Sequence, residues 1–182
     1  MTIMAGARLL QHKLQQHRCS FQRMLSSSTS STTRPPAALG VTPHTVIPFM
    51  ASQWPDNPYE NFQRLVLHEL SGNHSLISQK IASSDIRPGG FISGPSQFCM
   101  ADVGMWITVF GARGFDEMAM TSEMSIRYVR PAVGDTLWCQ VDVVSAGQRN
   151  IVMNAKQWTE NVDKPTSVAQ GSYVMPKKSS TL

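Results

Sequence analysis

Apolar and polar residues alternate with period two through much of the second half of the chain, the signature of half-buried strands. The alternation is clearest where Val141 and Val143 flank Asp142, and where Ile151, Met153 and Ala155 interleave with Asn154 and Lys156. It predicts three or four long strands, roughly over residues 118–129, 136–146, 150–159 and 167–175. Turn signals at Pro131 to Asp135, Gly147 to Arg149 and Asn161 to Pro165 separate them. Upstream, residues 58–64 suit a short helix and 64–70 a strand. Ser71-Gly72-Asn73-His74 then turns the chain into a second strand over 75–83, in which Leu76, Ser78, Lys80 and Ala82 alternate with Ile77, Gln79 and Ile81.

Between hairpin and strands lies a segment of different periodicity. Arg87-Pro88-Gly89-Gly90 breaks the strand pattern, Ser93 is placed to cap a helix, and Pro95 suits its first turn. The helix is predicted to continue to Phe110 and to stop at Gly111-Ala112-Arg113-Gly114. Phe98, Cys99, Met105, Trp106 and Val109 cluster near Asp102 at helical spacings, while Met100, Val103, Ile107 and Phe110 cover other directions. A helix apolar nearly all round is buried. The expected class is α+β: one long central helix wrapped by an antiparallel sheet of about five or six strands.

That helix contains a single carboxylate, Asp102. An ionised acid in apolar surroundings has to be matched by a partner, a hydrogen bond, water or a shifted pKa, because desolvating it alone is very costly. Asp102 is therefore the first functional candidate. As a reacting group it is a general base or a nucleophile; as a structural group it bonds a neighbouring strand or an arginine.

Charge changes the picture at the N-terminus. The formal charge is +4, and of 16 Lys and Arg, four (Arg8, Lys13, Arg18 and Arg23) precede Ser26, leaving 12 to balance 12 Asp and Glu. A near-neutral globular part lacks the broad basic face that a nucleic-acid binder needs. The first acidic residue is Asp56, and the stretch before it is rich in Arg, Gln and Ser. These are features of a mitochondrial transit peptide, expected over 1–25 and directing the protein to the matrix, with Arg23-Met24-Leu25-Ser26 resembling an arginine-containing cleavage site. Residues 26–56, rich in Ser, Thr, Pro and Ala, are expected to form a disordered linker, residues 57–176 the domain, and 177–182 a tail. No stretch is long enough to span a membrane.

Other chemistries find little footing. Cys19, Cys99 and Cys139 make no CxxC pair or zinc-ligand spacing, so no metal is expected. His68 and His74 sit in no HExxH context, and there is no GxSxG elbow for a serine hydrolase.

Two blocks carry a resemblance. Arg87-Pro88-Gly89-Gly90, continuing through Ile92-Ser93-Gly94-Pro95 to Ala101-Asp102, and Ile126-Arg127-Tyr128-Val129-Arg130-Pro131-Ala132 with Gly134-Asp135, resemble the acyl-CoA thioesterases of the phenylacetic-acid-degradation type, in a subgroup with RPGG and ISGP motifs. The likeness covers about Arg64 to Met175. It implies a hotdog fold, a homodimer or homotetramer with active sites between subunits, an acyl-CoA substrate hydrolysed to free acid and CoA, and no cofactor. In the better-known branch a His-Gly-Gly motif opens the helix; the equivalent positions here are Ser93 for the histidine, Gly94 for the amide that polarises the thioester carbonyl, and Asp102 for the catalytic acid. The same resemblance places Thr121 where a hydroxyl positions the attacking water. Ser93 and Arg87, the latter just before the glycine turn, are candidates for substrate binding, and Arg127, Arg130 and Arg149 are candidates for the CoA phosphates. Against these stand plainer roles: Ser93-Gly94-Pro95 as a helix cap, Thr121 as a surface strand residue, Arg87 as the salt-bridge partner of Asp85. A noncatalytic hotdog module that binds acyl chains, and a lyase of the enoyl-CoA hydratase type, are the competing functions.

Overall fold

A computed structural model describes residues 34–53 and 61–175. The transit-peptide and tail expectations fall outside them. The chain runs through helix α1 (Pro43–Gln53), the short helix α2 (Asn61–Arg64), strands β1 (Leu65–Ser71) and β2 (His74–Lys80), and the two-residue strands β3 (Ile86–Arg87) and β4 (Phe91–Ile92). It continues through the long helix α3 (Gly94–Arg113) to β5 (Met120–Tyr128), β6 (Thr136–Ala146), β7 (Asn150–Trp158) and β8 (Ser167–Val174). Six strands form one antiparallel sheet in the order β1-β2-β6-β7-β8-β5, with β3 and β4 paired separately. Strand number, central helix and α+β class agree with the sequence.

The alternation does what it predicts. Ile151, Met153 and Ala155 of β7 face α3 and are buried, as are Leu137, Cys139 and Val141 of β6. Against them α3 buries Met100, Ala101, Met105, Ile107, Val109 and Phe110. One internal polar pair, the hydroxyls of Ser75 and Thr108 at 2.7 Å, is satisfied within this core, with Thr108 also donating to the Gly104 carbonyl. Burial pushes the Cys139 thiol up to about 12, so it packs as a small apolar side chain and not as a nucleophile.

Two expectations are corrected. Helix α3 does not end at Phe110 but runs three residues further to Arg113, and of the predicted stop residues it is Gly114, with φ of 91°, that ends it. Gly111 is helical because the helix passes tight against β1, where a Cβ would meet Leu70 Cδ1 at 2.8 Å. It is a spacer.

The second correction concerns the stretch read as linker. Residues 43–53 form α1, with Val46 and Met50 fully buried. Phe49 of α1 meets Phe110 of α3 edge-on at 5.6 Å and Phe115 at 4.4 Å. Truncating such a buried side chain costs about 2–5 kcal/mol, so α1 belongs to the folded unit. Thr42 precedes Pro43 at the first helical position, and the Thr45 hydroxyl accepts from the Thr42 amide at 2.9 Å, a cap hidden by Ser/Thr/Pro composition.

Candidate active site

Asp102 lies midway along α3, partly exposed, on the flank that meets β8 and the edge strand β5. Thr121 of β5 donates to Asp102 Oδ1 at 2.8 Å. Tyr173 of β8 places its hydroxyl 2.7 Å from the same oxygen and 3.0 Å from the Asp102 main-chain carbonyl. Both donors are neutral. Among the described residues no arginine pairs with Asp102 and no donor reaches Oδ2.

A bulge sets this geometry. On β5 the even residues Met124 and Ile126 face the core, so strict alternation would send Thr121 outward. Between Thr121 and Glu123 the register slips by one, Ser122 and Glu123 together opposing Ser172, and Thr121 comes to lie opposite the inward-facing Tyr173. Ser122 remains on the outer side, bonded to the Ser172 hydroxyl at 2.7 Å.

The tip of α3 holds a different group. Ser93 caps the helix, its Oγ accepting from the Ser96 amide at 3.2 Å, and the Gln97 amide bonds the Ser93 carbonyl. Pro95 has no N–H to offer. Of the first-turn amides only that of Gly94 has no acceptor among the described residues. Tyr128 of β5 donates to the Gly94 carbonyl at 2.9 Å and steadies the tip, and a Cβ on Gly94 would meet its hydroxyl at 3.2 Å.

The remaining candidates are dispersed. Ser93 is engaged in capping, as the plainer reading expected. Arg87 lies exposed on β3 with its guanidinium 6.0 Å over the Phe91 ring; it does not bridge Asp85, whose carboxylate pairs with Arg64 at 2.6 Å. Arg130 donates to the Pro165 carbonyl at 2.9 Å. Arg149 sits in the β6–β7 turn beside the far end of α3, where Arg113 bonds Gly147. A 20-residue helix is about 30 Å long, so the fold does not bring Arg149 together with the helix tip within one chain.

Tyr173 was missed from sequence, although a signal existed. It occupies an inward position of β8, in step with the buried Ala169 and Gly171, and a buried tyrosine hydroxyl needs a partner. Burial first, then the nearby Asp102 charge, push its phenol far above the ordinary value, so it stays a proton donor at any working pH.

The architecture has clear relatives. Residues 89–166 match the model of the Thioesterase superfamily. Among solved structures the chain is similar to a conserved protein of Pseudomonas aeruginosa (26% identity, covering 60% of this chain and 86% of that chain, TM-score 0.55). It is also similar to zebrafish Thioesterase Superfamily Member 2 (14% identity, 75% and 100%, TM-score 0.65) and to a Streptococcus mutans protein bound to acetyl CoA (21% identity, 66% and 92%, TM-score 0.57). The fold is a hotdog. No curated protein matches the sequence at a significant level. Within the hotdog, α3 is the central helix and Asp102 is the carboxylate on its flank toward the open β5 edge. Among the described residues no cluster of three His, Cys, Asp or Glu is placed to hold a metal, and no helix is long and apolar enough to cross a membrane.

Proposed function

We propose that the protein is an acyl-CoA thioesterase, hydrolysing a thioester to free acid and CoA, with Asp102 as the reacting carboxylate and the Gly94 amide as the oxyanion donor. The observation that carries this reading is the state of Asp102: one carboxylate oxygen held by two hydroxyls, the other open. Thioester hydrolysis needs an activated water and a polarised carbonyl. As a base, Oδ2 takes a proton from water, the hydroxide adds to the carbonyl, and the thiolate leaves with that proton. As a nucleophile, Oδ2 adds to the carbonyl itself, the thiolate departs, and water cleaves the resulting anhydride. Either route uses the open oxygen. At the helix tip, the free Gly94 N–H and the helix dipole favour the negative charge that grows on the carbonyl oxygen.

Within one chain these two groups cannot grip one thioester. Eight residues of helix separate Gly94 from Asp102, about 12 Å at 1.5 Å per residue. The proposed enzyme is therefore a homodimer, alone or within a tetramer, in which the helix tip of one copy faces Asp102 of the other. The unpaired side of β5, with Met120 and, in the turn before it, Met118 more than half exposed, supports a second copy along that edge. The acetyl CoA held by the Streptococcus mutans protein supports the ligand class. The acid-free, Arg-rich N-terminal segment supports delivery to the mitochondrial matrix.

A panel of short, medium, long and aryl acyl-CoAs, followed by release of free thiol, tests the proposal. Hydrolysis across part of the panel is expected. Saturable binding of acyl-CoA with no thiol released would replace the enzyme with a noncatalytic binding module.

A further inference from the structure

We propose that Tyr173 is the positioning residue of this site: its hydroxyl, together with that of Thr121, grips Asp102 by Oδ1 and thereby fixes Oδ2 as the oxygen that reacts. The inference rests on the thioesterase reading and names what makes its carboxylate usable. An aspartate on a helix flank can turn about its side-chain bonds, and a partly exposed one has water to turn toward. Here two strands supply donors to one oxygen from directly opposed register positions, Thr121 and Tyr173.

The tyrosine is the stiffer of the two. It is 3% exposed, its ring is locked between sheet and helix, and its hydroxyl lies within bonding distance of both the carboxylate and the main chain of the same residue. A phenol has one proton. The shorter contact, to the carboxylate, is the one strengthened by charge, and the main-chain carbonyl 3.0 Å away fixes where the hydroxyl sits relative to the helix. Carboxylate orientation is thus referenced to the helix backbone through a buried ring. Thr121 has no second contact of this kind to the helix backbone, and its strand is paired within the chain on one side only. Cys99 on α3 is close enough to act on the Tyr173 phenol, and β5 brings the neutral Thr121 to Asp102.

Tyr173→Phe in the full-length protein removes the hydroxyl and keeps the ring. The expected result is a kcat lower by about 10- to 100-fold with KM changed less than about twofold, since a side chain 3% exposed has almost no surface to offer a substrate. A merely structural tyrosine would lower the melting temperature and leave kcat per folded molecule where it was; that result overturns the proposal. Carboxyl carbon NMR of Asp102, assigned by comparison with Asp102→Asn, gives a readout independent of turnover. A carboxyl carbon resonance displaced in Tyr173→Phe from its wild-type position supports the positioning role even if no acyl-CoA is hydrolysed and the thioesterase reading falls. Coincident resonances refute it.

Discussion

Asp85 and Asp102 are both acids tied to the central helix, and the molecule treats them in opposite ways. Asp85 is 5% exposed and sealed before the helix tip, its Oδ2 taking both the Arg64 guanidinium at 2.6 Å and the Ala82 amide at 2.9 Å. Its carbonyl also receives the Ser93 amide, which ties the turn to the helix cap. Burial alone would raise its carboxyl, yet the Ala82 amide and the Arg64 charge together hold it below the ordinary value. Among the described residues no cation reaches Asp102, which has two hydroxyls on one oxygen and an open side. The acid that serves stability is neutralised and enclosed; the acid proposed for chemistry is oriented and left able to accept a proton.

Breaking the first arrangement gives the largest effect on the fold. Arg64→Met leaves the Asp85 carboxylate buried without its cation, and removing one partner of a buried pair costs about 3–5 kcal/mol. Chemical denaturation is expected to show the loss, and turnover per folded molecule to survive it. Sharpening the second arrangement takes a smaller change. Thr121→Val keeps shape and removes one of the two donors to Asp102, so kcat is expected to fall about 10-fold at an unchanged melting temperature. A Thr121→Val protein with full turnover would leave Tyr173 as the sole orienting group.

The smallest effect is on pH. Because the Asp85 carboxyl is held below its ordinary value in the folded state, its contribution is fully present above the unfolded carboxylate pKa, about 3.9, and is lost as pH falls through the lowered folded value. Melting temperature against pH is expected to drop more steeply below about pH 4 in wild type than in Asp85→Asn. Equal slopes would remove Asp85 from the acid response.

Much of this frame was legible in the sequence, and the reason is local. Strands β6 and β7 follow from alternation whose inward members are mostly apolar, and Ser93 with Pro95 marks the start of α3. Asp102 stood out because charge inside an apolar run has to be accounted for. What escaped depends on contacts distant in sequence. Helix α1 is stabilised by Val46, Phe49 and Met50 meeting the rest of the fold, while its own residues read as linker. The bulge at Ser122 shifts one register position, a change that alternation over nine residues does not reveal, so the inward aim of Thr121 came from family resemblance and not from pattern. Nor does the sequence give the pairing of Tyr173 with a helix residue 71 positions away.

The most direct test measures thiol release per folded molecule by Asp102→Asn and Asp85→Asn side by side, with a melting curve for each. The account predicts that Asp102→Asn folds normally and turns over about 1,000-fold more slowly, while Asp85→Asn melts at a lower temperature with kcat close to wild type. Near-normal turnover in Asp102→Asn would contradict it.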